Sequence, residues 1–269
     1  MQSALLDGLA KILREVALAE IAPRFRQLAP SDVIGKPSAD DPNDLVTAAD
    51  RAAEAELTRR LPELAPGSIV VGEEAVSADP SVLERLRGSK PVWVVDPLDG
   101  TKNFAAGRSP FRTMVVLVER GELLAAGIYM TEGDLMFLAE RGQGAFRNGV
   151  RLMPRTPSTG VLTGTLNTRF LPEDQTSALN ARASAHHQVP SPICAAQEYT
   201  QIAAGLKDYS TYYRLMPWDH APGALIVREM GGVVRHPDGR DYDLFDTREL
   251  TLLSPDEPTW QRARRELFG

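Results

Sequence analysis

The run Val92-Trp93-Val94-Val95 ends in Asp96-Pro97-Leu98-Asp99, with Gly100 and Thr101 directly after it. Four consecutive apolar residues read as a strand buried in a core, and this one delivers two carboxylates, three residues apart, at its carboxyl end. In α/β sheets that end is where ligands sit. With Pro97 holding a tight turn, Asp96 and Asp99 can face one pocket and the Leu98 carbonyl can point into it. Gly100 lets the backbone approach a ligand closely, and the Gly100 and Thr101 amides can point at an anion. DPLDG is also an ordinary turn sequence, so its meaning depends on the rest of the chain.

Two other segments do the same thing. Glu73 and Glu74 follow the apolar SIVV, and Asp219 opens a helix in PWDHAPG. Each has a plain alternative: loop glutamates are usually solvated, and an aspartate before a helix is often an N-cap. Together they suggest convergence. Carboxylates about 4 Å apart repel by roughly 4 kcal/mol at an effective dielectric near 20, so a cluster must be protonated or neutralised by cations. Oxygen ligands alone favour a hard ion, Mg²⁺ ahead of Ca²⁺ or Mn²⁺. None of His186, His187, His220 and His236 has zinc-site spacing with these acids, and His220, next to Asp219, is not expected to be a ligand. Acids for magnesium beside amides for phosphate suggest phosphoryl chemistry.

Around these points the pattern mixes helices and strands. An amphipathic helix is expected from Ser3 toward Arg26, interrupted at Pro23. Thr47 reads as the N-cap of a helix stopped by Pro62, and 79–88 as a capped helix with a terminal glycine. Residues 67–74 read as a strand ending in the two acids. An antiparallel meander spans 112–147, and further helices fall in 193–206, from Pro217 to the Gly231-Gly232 pair, and from Glu257. The mixture implies layered α/β packing. Two halves, 1–150 carrying most of the acids and 151–269 supplying Asp219, form one compact catalytic unit.

Four blocks, DLVTAAD (44–50), VGEEA (71–75), WVVDPLDGTKNF (93–104) and PWDHAPGALIVREMGG (217–232), together resemble the inositol monophosphatase family of lithium-sensitive, metal-dependent phosphomonoesterases. The resemblance implies an α+β fold, a layered αβαβα sandwich like that of fructose-1,6-bisphosphatase, with the site between its halves. It implies that Glu73, Asp96 and the Leu98 carbonyl hold one Mg²⁺, that Asp96, Asp99 and Asp219 hold a second, and that Glu73 helps bind a third. It also implies that Asp50 holds Thr101, which with Glu73 orients the water attacking phosphorus in line. Substrate contacts fall to Asp99, Gly100, Thr101, Cys194, Ala195, Arg214 and Asp219. Lithium inhibition and a homodimer are expected on the same ground.

The resemblance puts inositol monophosphate first as substrate, with a nucleotide 3′,5′-bisphosphate, histidinol phosphate or fructose bisphosphate as alternatives; a non-catalytic metabolite-binding relative is the competing class. Two departures bear on that order. Arg214 stands near the place where inositol-specific members often carry a glutamate, and is either a solvated strand-end arginine or a contact to a second anionic group. Ile193 and Cys194 replace the family's usual Gly-Ser/Thr pair. Lys36, in the polar loop over 35–44 above the expected site, is either a contact to phosphate or, the first choice, a flexible surface lysine. A net charge of −6 argues against nucleic acid and anionic membranes as partners, and no apolar run is long enough to span a bilayer. The single cysteine excludes an internal disulfide and fits a reducing, cytoplasmic setting.

Overall fold

The structure, a computed structural model, describes residues 2–37 and 41–269. Its first half contains helices α1 (Ala4–Val16), α2 (Ala48–Arg60), α3 (Glu73–Ala78) and α4 (Thr101–Ala105). Its strands there are β1 (Val33–Gly35), β2 (Leu45–Thr47), β3 (Ile69–Gly72), β4 (Val92–Asp99), β5 (Arg112–Glu119), β6 (Glu122–Met130), β7 (Leu135–Glu140), β8 (Gly144–Arg147) and β9 (Val150–Arg151). The remainder comprises β10 (Thr163–Leu166), α5 (Glu173–Arg182), β11 (His187–Gln188), α6 (Ala195–Ala203), β12 (Tyr209–Arg214), α7 (Pro217–Glu229), β13 (Val233–Arg235), β14 (Arg248–Ser254) and α8 (Glu257–Phe268).

Strands β3 to β9 form one sheet in sequential order, with β3 and β4 parallel and the other neighbours antiparallel. The second sheet has the order β11-β10-β12-β14-β13. The unbroken apolar run of β4 has a simple cause: both faces are covered. Trp93 and Val95 join the core under α1 and α2, whereas Val92 and Val94 face the core built with α6 and α7. The same central core takes in Val234 and Leu253 of the second sheet. Leu252 of that sheet packs outward against Leu179 of α5 and Trp260 of α8. Five layers result, helix–sheet–helix–sheet–helix, and every core is apolar on the face that the two- or 3.6-residue period supplies.

Local departures from the sequence expectations have local causes. The opening helix is interrupted before Pro23: α1 ends at Val16 and continues as a π turn over Ala17–Ile21 and a 3₁₀ turn over Ala22–Arg24. Residues Pro80–Arg87 are 3₁₀ rather than α-helical, started by Asp79, whose carboxylate accepts from the Ser81 amide. The strand expected through 74 stops at Gly72, so Glu73 and Glu74 sit in the first turn of α3 instead of at a strand tip. Of the polar loop over 35–44, residues 38–40 lie outside the described residues. Its ends are tied together by the β1–β2 pairing and by the Lys36 amide donating to the Asp44 carbonyl.

Candidate active site

The carboxyl end of β4, the first turns of α3 and α7, and the α4 amino terminus meet at one cavity of about 450 Å³. Glu73, Asp96 and Asp219 each place one oxygen there within 4.8 Å of the others. Asp96 is fully shielded from water, and its Oδ1 accepts from the Leu98 amide at 2.9 Å. Burial, followed by the charges of Glu73, Asp99 and Asp219, holds the Asp96 carboxyl well above the usual carboxylate range. Asp219 is raised for the same reasons, burial first and then Glu73 and Asp99. A hard divalent cation suits this donor set: all oxygen, several negative charges, and no histidine or thiol among them. His220, buried beside the cavity, has its Nδ1 3.1 Å from the Tyr199 hydroxyl, and burial lowers it to about 3, so it is neutral.

Asp50 anchors two things at once. One of its oxygens accepts from the Thr47 amide and hydroxyl, closing a reciprocal cap at the start of α2. The other lies 3.0 Å from the Thr101 hydroxyl, whose oxygen is also 2.9 Å from the Leu98 carbonyl. That hydroxyl has one proton and serves one acceptor at a time. Burial pushes the Asp50 carboxyl up to about 6, against the lowering effect of the Thr47 bonds. Gly100 precedes Thr101 with φ 90°, and a side chain there would meet the Pro110 carbonyl oxygen at 2.7 Å. Glycine is therefore required by the backbone turn itself.

Asp99 sits in the same cavity but outside the three-acid group. Its Oδ2 accepts from the Ala196 amide at 2.6 Å and from the Cys194 thiol at 3.0 Å, and the Ala195 amide also bonds this carboxylate. The aspartate of β4 thus holds the start of α6, where Cys194 is the N-cap residue. Burial raises the Asp99 carboxyl while those three donors lower it. Two basic residues need correction. Lys36 is no loose surface lysine: its ammonium lies 2.6 Å from both Glu73 and Glu74, and its side chain is only 10% exposed. Arg214 is not a solvated strand end, since it lines the cavity with its guanidinium over the Phe170 ring.

Two contributors escaped the sequence reading. Glu54 accepts from the Glu74 amide (2.8 Å) and the Ala75 amide (2.9 Å), fixing the turn that aims Glu73. Any side chain at Gly72 would collide with that carboxylate. Glu54 lies one helical turn after Asp50, so its shared face was readable from spacing. Asp41 bridges Lys102 (2.6 Å) and Arg169 (2.7 Å) at the cavity wall, a pairing between distant segments that carries no local signal.

A model of the inositol monophosphatase family matches residues 4–264. The chain is a member of the inositol monophosphatase family. As such it is a hydrolase of phosphoric monoesters. It is 29% identical over 221 residues to the inositol-1-monophosphatase of Bacillus subtilis, covering 80% of this chain and 81% of that one. It is 31% identical over 236 residues to inositol monophosphatase 1 of Sus scrofa, covering 84% and 82%. The crystal structure of the extragenic suppressor protein suhB from Bartonella henselae superposes with a TM-score of 0.82 at 26% identity, over 99% of both chains. No helix among the described residues is long and apolar enough to cross a membrane.

Proposed function

We propose that this phosphatase hydrolyses a small phosphate monoester, with inositol monophosphate first in order, using two or three Mg²⁺ ions. The observation that carries the reading is the meeting of Glu73, Asp96 and Asp219 from three separate segments. Those residues, the Leu98 carbonyl and Asp99 would hold the metal. Magnesium, when bound, supplies the positive charge the cluster lacks, acidifies water and steadies the departing alkoxide.

The chain's own groups do the rest. Thr101, with its proton given to Asp50, keeps lone pairs to accept from the attacking water, and Glu73 orients that water from the other side. The Gly100 and Thr101 amides receive phosphate oxygens at the start of α4, and Asp99 and Asp219 accept from the alcohol. Arg214, Cys194 and Ala195, which line the cavity, are the groups we assign to the leaving alcohol. The family resemblance supports a homodimer, and the lone free cysteine, Cys194, fits a cytoplasmic setting.

The test is phosphate release from inositol 1-phosphate, adenosine 3′,5′-bisphosphate, fructose 1,6-bisphosphate and histidinol phosphate, with Mg²⁺ and with or without millimolar lithium. Asp96→Asn should lower turnover at least about a thousandfold, the equivalent of several kcal/mol of metal-borne charge stabilisation. Wild-type activity in that variant removes Asp96 from the metal site, and light scattering of the same preparation should give twice the mass of one chain.

A further inference from the structure

His220 directly follows Asp219 but stays out of the three-acid group, and its ring is buried. Both ring nitrogens nevertheless have work. Nδ1 lies 3.1 Å from the hydroxyl of Tyr199 in α6, and the ring also donates to the backbone carbonyl of Arg214 at the end of β12. One arrangement uses both contacts: Nε2 carries the proton and donates to the carbonyl, while bare Nδ1 accepts from the Tyr199 hydroxyl. The imidazole thereby joins α6, α7 and β12 at the turn that runs from Arg214 to Asp219.

The surrounding packing is shaped to hold that ring still. Tyr199 is completely buried, and a Cβ at Gly223 of α7 would lie 2.1 Å from its ring. Gly223 is inside the helix and has no left-handed φ, so a poor helix former stands there to make room for the tyrosine. Tyr212 of β12 closes the other side: its ring centre is 4.6 Å from that of His220, and it stacks on Tyr199 at 6.0 Å. The Leu215 amide ties the same turn to the Thr247 carbonyl at 2.9 Å, so the His220 ring supplies a second anchor. Asp219 is the one member of the three-acid group that comes from beyond residue 150, and its register against Glu73 and Asp96 depends on this turn. We infer that His220 is a positioning residue: its imidazole fixes the turn from Arg214 to Asp219, sets the Asp219 carboxylate against Glu73 and Asp96, and so raises the affinity of the cluster for a divalent cation. This rests on the metal-dependent phosphatase reading above.

The test titrates Mg²⁺ by calorimetry, without substrate, into the wild type, His220→Phe, His220→Gln and Tyr199→Phe, and records each thermal unfolding midpoint in chelator. Phenylalanine keeps a flat ring in the packing and has no donor. Glutamine loses the ring but reaches the place of Nε2 with an amide N–H. A role in packing alone makes phenylalanine the milder change, and a positioning role makes glutamine the milder one. His220→Phe should bind Mg²⁺ at least about tenfold more weakly than the wild type, and His220→Gln should come back to within about threefold. Tyr199→Phe, which removes one oxygen atom, should weaken binding about threefold. The Mg²⁺ concentration for half-maximal phosphate release from inositol 1-phosphate should rise in the same order. Wild-type Mg²⁺ affinity in folded His220→Phe, or a larger loss in His220→Gln than in His220→Phe, would overturn the inference alone. If His220→Phe does not fold, unchanged Mg²⁺ affinity in Tyr199→Phe would overturn it equally. A wild type that binds no Mg²⁺ and releases no phosphate would overturn the phosphatase reading beneath it.

Discussion

Two buried acidic sites in this molecule solve the same electrostatic problem in opposite ways. Glu198 is completely buried in α6, and Lys207, 3% exposed, lies 2.8 Å from it. Ser210 also donates to that carboxylate, and the Thr165 hydroxyl takes a further bond from Lys207. The charge is matched within the chain, with both bonds falling on Oε2 of Glu198. At Glu73, Asp96 and Asp219 it is not. Lys36 reaches Glu73, and the Arg214 charge acts on Asp219, yet Asp96 and Asp219 remain well above the usual carboxylate range. A sequence that neutralises a buried acid at one place and leaves Asp96 and Asp219 under-neutralised at another has a second place that suits a cation from outside.

If that contrast is right, breaking the closed pair should injure the fold and spare the chemistry. Lys207→Met leaves Glu198 buried and unpaired, with an expected loss of about 3–5 kcal/mol in unfolding free energy by denaturant titration. The folded fraction should keep its kcat. A loss of less than about 1 kcal/mol would erase the distinction between the two sites. The open cluster should behave in reverse. Mg²⁺ at a hundred times its dissociation constant should stabilise the wild type by about 2.7 kcal/mol, read as a rise in unfolding midpoint. Asp96→Asn should be more stable than wild type in chelator and gain little from Mg²⁺, because one buried repulsion is gone.

A smaller effect separates Asp50 from both. Its folded value of about 6 lies above the ordinary 3.8, so the folded state holds its proton more tightly than the unfolded state does. Its contribution to stability is therefore lost as pH rises from 3.8 through 6 and is constant above that. In chelator, Asp50→Asn should gain on the wild type across this window by at most about 1.4 kcal/mol per pH unit, then run parallel to it. A difference that shrinks with rising pH would reverse the sign of the burial effect.

Much of this site was legible because its segments are locally consistent. Thr47 caps α2 as expected, and Asp50 three residues later closes it into a reciprocal cap that needs no tertiary information. The apolar run of β4 and the helix-opening PWD were equally readable, and they delivered Asp96 and Asp219 to one point. The hidden features depend on contacts across the chain. Nothing near Lys36 says that its ammonium lies between Glu73 and Glu74, because those partners are 37 and 38 residues away. The turn of Asp99 toward α6 likewise joins residues 97 apart. Glu54 is the exception: its helical spacing from Asp50 was available, and only its acceptor role at α3 required the fold.

That contact of Asp99 has a mechanical side. It is a carboxylate of the seven-stranded sheet fastened to the first amides of the helix layer between the two sheets. The latch and the ligand cage therefore share one residue pair on β4, separated by a single proline turn. Loosening the sandwich at this seam would pull the cage apart, so any breathing that admits substrate has to pivot around Asp99 rather than through it.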